Sequence, residues 1–312
     1  MKAVVLEARS GFFKVKLESG EVVDATARKK IMGAAKRDSP IIPGDNVIIQ
    51  LHSSGDASIE EVEDRKVLIQ RGSEKRRGQQ HAIVANVDHA LVVFAAEKPR
   101  CRIQQIDRYI IAAEYQHLDV TLVFNKWDLK NDLSEELFNI YSEAGYDCLK
   151  FEAIDKTDDV KNKINNLSFE KLYIMGPSGV GKSSIINAIF PEQRARTGNV
   201  NQNTGKGRHT TTHVELLSVD DTKYVVDTPG MGQLVMLGIE AANLKNFYKE
   251  FNPLSEQCKY RTCLHVEEPG CEVKEEVGNR IDKKRYQSYV NFLSELFLEE
   301  EVRSQKSSKK KW

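Results

Sequence analysis

The sequence predicts a multidomain protein: an N-terminal all-β barrel of the OB-fold kind, a central α/β domain and a mainly helical C-terminal domain. Three observations predict it. Short alternating apolar runs with turn signals fill the N-terminal region. Continuous apolar strands then alternate with helical stretches around a glycine-rich loop, Gly176, Pro177, Ser178, Gly179, Val180, Gly181, Lys182 and Ser183. Cysteines and a histidine then crowd together ahead of a long amphipathic stretch.

Residues 1–70 read as short strands. Phe13, Val15 and Leu17 alternate with polar neighbours, as do Val47 and Ile49, the period of a half-buried strand. Pro43, Gly44 and Asp45 form a turn signal. About five strands make a small barrel, and the OB-fold is the commonest such module. Arg28, Lys29, Lys30, Lys36 and Arg37 fall close together with no acid between them. That loop is a candidate RNA-binding surface, with an ordinary solvated face as the bland alternative. Residues 71–81 read as a basic linker.

Residues 82–235 switch to the α/β pattern. Ala90–Ala95, Val120–Phe124, Cys148–Ala153, Leu172–Met175, Val214–Val219 and Tyr224–Val226 read as strands, and Ile103–His117 carries helical spacing. Strands apolar on both faces imply a mostly parallel sheet covered by helices. Residues 236–312 read as a helical domain. There Ile281, Tyr286, Tyr289, Val290, Leu293, Leu296 and Phe297 form one apolar stripe. The tail Ser307–Trp312 reads as disordered.

The glycine loop has the phosphate-loop pattern GxxxxGKS, with a strand before it and a helix opening at Ser183 and Ser184. Loop amides and the helix N-terminus suit phosphate oxygens. Lys182 suits the β- and γ-phosphates, and the Ser183 hydroxyl suits Mg²⁺. Asp227, Thr228, Pro229 and Gly230 end a later strand. An aspartate there holds Mg²⁺ through water, and the Gly230 amide can meet the γ-phosphate.

Asn125, Lys126, Trp127 and Asp128 end a buried strand, where open α/β sheets bind ligands. The Asp128 carboxylate can accept from both N1–H and the exocyclic amine of guanine. Adenine lacks that pair of donors and would leave a charge unpaired. Asn125 can brace the two loops, and the Lys126 stem can lie along the base. Ala153 can offer an amide to the guanine oxygen, although Glu152 stands where a serine is usual. The nucleotide is therefore GTP, and hydrolysis to GDP is the expected activity. The base-reading motif precedes the phosphate loop, the reverse of the usual order. The nucleotide domain therefore reads as circularly permuted.

Thr204 to Thr212 is rich in glycine, basic residues and hydroxyls, which suits a segment that orders when a threonine reaches Mg²⁺. Thr211 is the favoured ligand among three adjacent threonines. Met231 follows Gly230 where Ras-like enzymes carry a water-orienting glutamine. His209 is the candidate catalytic group in its place; facing solvent or RNA is the equal alternative.

Cys258, Cys263, His265 and Cys271 give three thiolates and one imidazole at close spacing. That set is complete for structural zinc and leaves no open position for catalysis.

Composition is ordinary for a soluble globular protein: 312 residues, 40% hydrophobic, 29% charged and formal net charge +0. Overall charge therefore selects no polyanionic partner. Five cysteines argue against a secreted disulfide framework. No signal-peptide or membrane-spanning run is evident, so a cytoplasmic protein is expected.

Taken together, these motifs resemble the bacterial ribosome small-subunit-dependent GTPase A family, RsgA or YjeQ. The resemblance rests on a small barrel, NKWD ahead of GPSGVGKSS, GRHTTT, DTPG, and C-x4-C-x-H-x5-C, and it spans nearly the whole chain. It implies a late assembly factor that binds the 30S subunit, contacts 16S rRNA through the barrel and zinc domain, and hydrolyses GTP with ribosome stimulation. A monomer is expected. The alternative is a GTP-dependent RNA-binding switch that does not need hydrolysis.

Overall fold

Five strands build the N-terminal barrel: β1 (Lys2–Arg9), β2 (Phe12–Leu17), β3 (Val22–Ala27), β4 (Asn46–Leu51) and β5 (Ala57–Val62). The structure is a computed structural model that describes residues 1–28, 41–72, 80–152, 157–191, 214–227 and 239–309. The strands pair in the order β1-β2-β3-β5-β4, and β4 closes onto β1. Phe13, Val15, Leu17, Val47 and Ile49 all point into the barrel core, as their alternation requires. Lys29, Lys30, Lys36 and Arg37 lie outside the described residues. Arg28 is described and pairs with Glu60 at 2.8 Å.

The stretch expected as a linker is strand at both ends. Here β6 (Leu68–Gly72) pairs antiparallel with β7 (Gln80–Ala85). Ile69 and Val84 are fully buried and join the α/β core. The intervening basic residues obscured that apolar pattern in the sequence.

The α/β domain adds β8 (His89–Ala95), β9 (Asp119–Asn125), β10 (Asp147–Lys150), β11 (Lys171–Met175), β12 (Glu215–Ser218) and β13 (Tyr224–Asp227). Helices α1 (Ile103–Glu114), α2 (Asp132–Glu143), α3 (Thr157–Asn165) and α4 (Lys182–Ile189) connect or follow them. Strand order is β10-β9-β8-β11-β13-β12. All neighbours are parallel except β12 and β13. Strands β8 and β11 are buried along their whole length because apolar clusters cover both sheet faces. The chain runs outward from β8 to β10 and returns to β11 on the other side of β8. The switch point of the sheet is therefore the β8/β11 boundary.

Barrel and α/β sheet are continuous. Strand β1 meets β12 at Glu7↔Glu215, giving one eleven-stranded sheet. Buried Lys16 of β2 crosses the joint, donating to Ser218 Oγ at 2.9 Å and the Asp220 carbonyl at 3.0 Å.

The C-terminal domain consists of short turns and one long helix, α5 (Lys283–Lys309). Asp282 accepts from the Lys284 and Arg285 amides at 2.7 and 3.1 Å and starts the helix. The apolar stripe expected from the sequence is partly rotated. Ile281 precedes the helix and bridges to Val277. Tyr289, Phe292, Leu293 and Leu296 are buried, whereas Phe297 is exposed. The segment expected to be a disordered tail is helical as far as Lys309. Arg285 is buried between domains. It pairs with Asp107 of α1 and with Glu250, the latter at 2.7 Å, and the Tyr141 hydroxyl donates to Asp107 at 2.6 Å. A buried guanidinium is tolerated only with such partners.

Candidate nucleotide pocket and metal cluster

The phosphate-type loop leaves β11, and the Asn125–Asp128 segment leaves β9, so both emerge at the C-terminal edge of the sheet. Two glycines explain how closely they approach. Gly176 has φ 146° and lies against the Val93 carbonyl; a Cβ there would stand 2.1 Å from that oxygen. Gly181 has φ 99°, and a Cβ would stand 2.2 Å from Asn125 Nδ2. Asn125 is buried and donates from Nδ2 to the Val180 carbonyl at 2.9 Å. Lys126, in the left-handed region, donates to the Gly179 carbonyl at 2.8 Å and the Lys98 carbonyl at 2.6 Å. Side chains of one motif therefore tie directly to the backbone of the other.

Lys182 opens α4 behind Gly181. Its Nζ donates to the Gly176 and Pro177 carbonyls at 2.8 and 2.7 Å, and burial lowers its pKa. Val180 is buried, while Ser178, Gly179 and Ser183 are exposed and Pro177 and Ser184 half-buried. Asp227 ends β13, one residue beyond the Tyr173↔Val226 pairing with β11. Burial raises its pKa. A phosphate would favour the charged ammonium, and a cation the charged carboxylate.

Asp128 lies exposed on a single 3-10 turn, Trp127–Leu129. Trp127 itself does not face the pocket. Its ring is buried against Phe124 and Phe138, with centroids 6.3 and 5.6 Å away. Packing claims this aromatic because α2 brings Phe138 over the strand end. Ala153, His209, Thr211, Gly230 and Met231 lie outside the described residues.

Sequence reasoning missed the loop after β8. The Lys98 carbonyl receives Lys126, and Pro99 Cδ is 3.8 Å from where a Gly179 Cβ would stand. The available signal was topological: this loop leaves the strand beside β11, at the switch point.

Cys258, Cys263, His265 and Cys271 do come together. Their ligand atoms all lie within 4.8 Å of one another, and three of the four residues are buried. His265 Nδ1 is the nitrogen facing sulfur, 3.6 Å from Cys258 and 3.4 Å from Cys271. Its Nε2 meets Ser255 Oγ at 3.1 Å. The donor set, three thiols and one imidazole nitrogen turned inward, fits a tetrahedrally bound metal ion. Outer partners were not apparent from spacing. Glu268 accepts from the Leu264, Val266 and Glu267 amides. Burial alone would raise its pKa, but those amides hold it down at about 2. Tyr286 and Tyr289 donate to the His265 and Leu264 carbonyls at 2.8 and 2.7 Å.

Among the described residues no helix is long and apolar enough to cross a membrane.

Comparison with known proteins agrees with this arrangement. The model of the RsgA GTPase family matches residues 62–237. The small ribosomal subunit biogenesis GTPase RsgA of Phocaeicola vulgatus is 35% identical over 303 residues, covering 95% of this chain and 97% of the relative. YjeQ from Thermotoga maritima superposes with a TM-score of 0.75 at 33% identity, covering 95% of this chain and 98% of that one. YloQ, a circularly permuted GTPase, superposes with a TM-score of 0.74 at 27% identity, covering 95% and 94%.

Proposed function

This chain belongs to the RsgA GTPase family, and we propose from that membership and the pocket geometry that it hydrolyses GTP to GDP and phosphate during biogenesis of the small ribosomal subunit. The observation that carries the reading is the Asn125–Val180 bond, which locks a base-reading loop onto a phosphate loop.

In this reading Asp128 accepts from guanine, with Asn125 holding its loop in place and the Lys126 stem alongside the base. Gly176 to Ser184 cradle the phosphates through backbone amides. Lys182 exchanges its loop carbonyls for the β- and γ-phosphates. Ser183 and Thr211 would hold Mg²⁺ directly and Asp227 through water. When bound, Mg²⁺ neutralises charge developing between the β- and γ-phosphates. Ala153 and Gly230 offer amides, and His209 aligns the attacking water. Cys258, Cys263, His265 and Cys271 would hold one structural zinc ion. The basic loop from Arg28 to Arg37 and the C-terminal domain contact 16S rRNA in the 30S subunit. The protein works as a cytoplasmic monomer.

The test is GTP turnover with and without purified small subunits, with ATP as the control nucleotide. Stimulated turnover of GTP alone is expected. Tight GTP binding without stimulated turnover would instead favour a binding switch. Equal use of ATP would remove Asp128 from the base-reading role.

A further inference from the structure

Helix α5 is fastened to the metal loop by Tyr286 and Tyr289. Beyond that attachment, helix and loop stand apart and leave a groove of about 510 Å³. Its walls are Leu264 and Val266 on one side and Val290, Leu293 and Phe297 on the other. Phe297, Leu298 and Val302 are 42%, 64% and 48% exposed. Single exposed apolar residues are ordinary, but three together beside an apolar groove mark an interaction surface. The groove is also preformed, because the two tyrosine hydrogen bonds and three amide bonds to Glu268 fix both walls. A preformed groove spends little ordering free energy on binding.

Charge selects the occupant. Glu267 and Glu268 line the groove, and no lysine or arginine does. The helix adds exposed Glu301 one turn beyond Phe297, while Glu295 is turned to Arg108 and Glu300 to the Ala241 amide. An RNA backbone would meet like charge here. A second copy related by a two-fold axis would set the same glutamates against each other. A protein segment with lysines or arginines flanking large apolar side chains satisfies both the groove and its rim.

We propose that this groove docks a basic, apolar protein segment of the small-subunit particle, while rRNA is met by other faces of the molecule. The inference rests on the small-subunit reading above. It concerns a face that uses the outer side of the metal loop and α5, and none of the residues of the nucleotide pocket or the four cluster side chains.

The test uses the full chain with p-benzoylphenylalanine in place of Phe297. This protein is mixed with small subunits and a non-hydrolysable GTP analogue, irradiated and digested. A cross-link to a ribosomal protein segment of net positive charge is expected. Cross-linking to RNA, or to a second copy of the chain, would overturn the proposal. So would the absence of a cross-link when the labelled chain co-sediments with subunits. In unlabelled protein, Phe297→Ala should weaken co-sedimentation about tenfold, the loss of one anchor. Glu267→Lys should weaken it about threefold through its rim charge. Both should keep parental GTP affinity and metal content. Parental co-sedimentation by both variants would also overturn the proposal. Failure of the unaltered chain to co-sediment would instead defeat the small-subunit reading, and this inference with it.

Discussion

The nucleotide pocket and the cysteine cluster are both built from loops at the ends of regular elements, yet they treat their polar groups in opposite ways. In the pocket, Lys182 satisfies itself on two carbonyls of its own loop, and Lys126 does the same on neighbouring loops. Asp128 stands in solvent. In the cluster, three thiols and an imidazole converge within 4.8 Å, mostly buried, and their outer partners are already in place. A site whose groups satisfy one another can release its ligand and stay folded. A site whose buried donors converge on one point depends on the ligand for its fold. The first arrangement suits turnover and the second permanence.

Removing metal should therefore give the largest effect. Structural zinc contributes roughly 10–16 kcal/mol in small zinc modules. Chelation, or Cys263→Ser, should release the metal and loosen the C-terminal domain, seen as rapid proteolysis after residue 239. GTP affinity should stay within about threefold, because the clusters flanking the parallel sheet are separate from the C-terminal cluster apart from contacts such as Ile111 and Arg285. A metal-free protein with a protease-resistant C-terminal domain would erase the contrast between the two sites.

Lys182→Ala tests the other half of the comparison. Charge-assisted hydrogen bonds are worth about 1.5–3 kcal/mol each, so GTP affinity should fall at least ~100-fold by equilibrium binding. Thermal stability should barely change, because the carbonyls the lysine releases, Gly176 and Pro177, border an open loop. A large loss of stability would mean that the pocket, too, is held together by its own polar groups. Asp128→Asn should cost less, about 2–3 kcal/mol in GTP affinity, as a carboxylate pair of hydrogen bonds gives way to a neutral one. It should gain relative affinity for xanthine nucleotides. Unchanged GTP binding would remove Asp128 from the site.

What the sequence disclosed differs between the regions for the same physical reason. Motifs that act through backbone and fixed spacing were legible: the Gly176–Ser183 loop, the strand alternation of Phe13, Val15 and Leu17, and the convergence of Cys258, Cys263, His265 and Cys271 into a cluster that could hold a metal ion. Features set by distant packing were not. Trp127 lies in the segment expected to read the base, but Phe124 and Phe138 draw its ring into the core. Phe297 fits the helical stripe, but the inner face of α5 is set by Arg285, Ser288 and Phe292, two of them polar. The β6–β7 hairpin was obscured by its basic residues, and the β1–β12 junction by a pairing across more than two hundred positions.

The subtlest prediction concerns Ser255, which no spacing rule identified. It precedes Cys258 by less than a helical turn and places Oγ 3.1 Å from His265 Nε2. That contact fixes which imidazole nitrogen is left to face the thiols, and His265 Nδ1 does face them. Outer partners of metal ligands are worth ten- to a hundredfold in affinity. A neutral hydroxyl, with the ring also held by Phe251 at 5.8 Å, should lie at the low end. Ser255→Ala should therefore weaken zinc affinity about tenfold in a competition with a chromogenic chelator, with one metal still bound at saturation. GTP affinity should be parental, since Ser255 belongs to the resident site. If the variant matches the parent in the chelator assay, ring packing alone orients His265. The permanence of the cluster would then come from its buried thiols, with no contribution from the outer hydrogen bond.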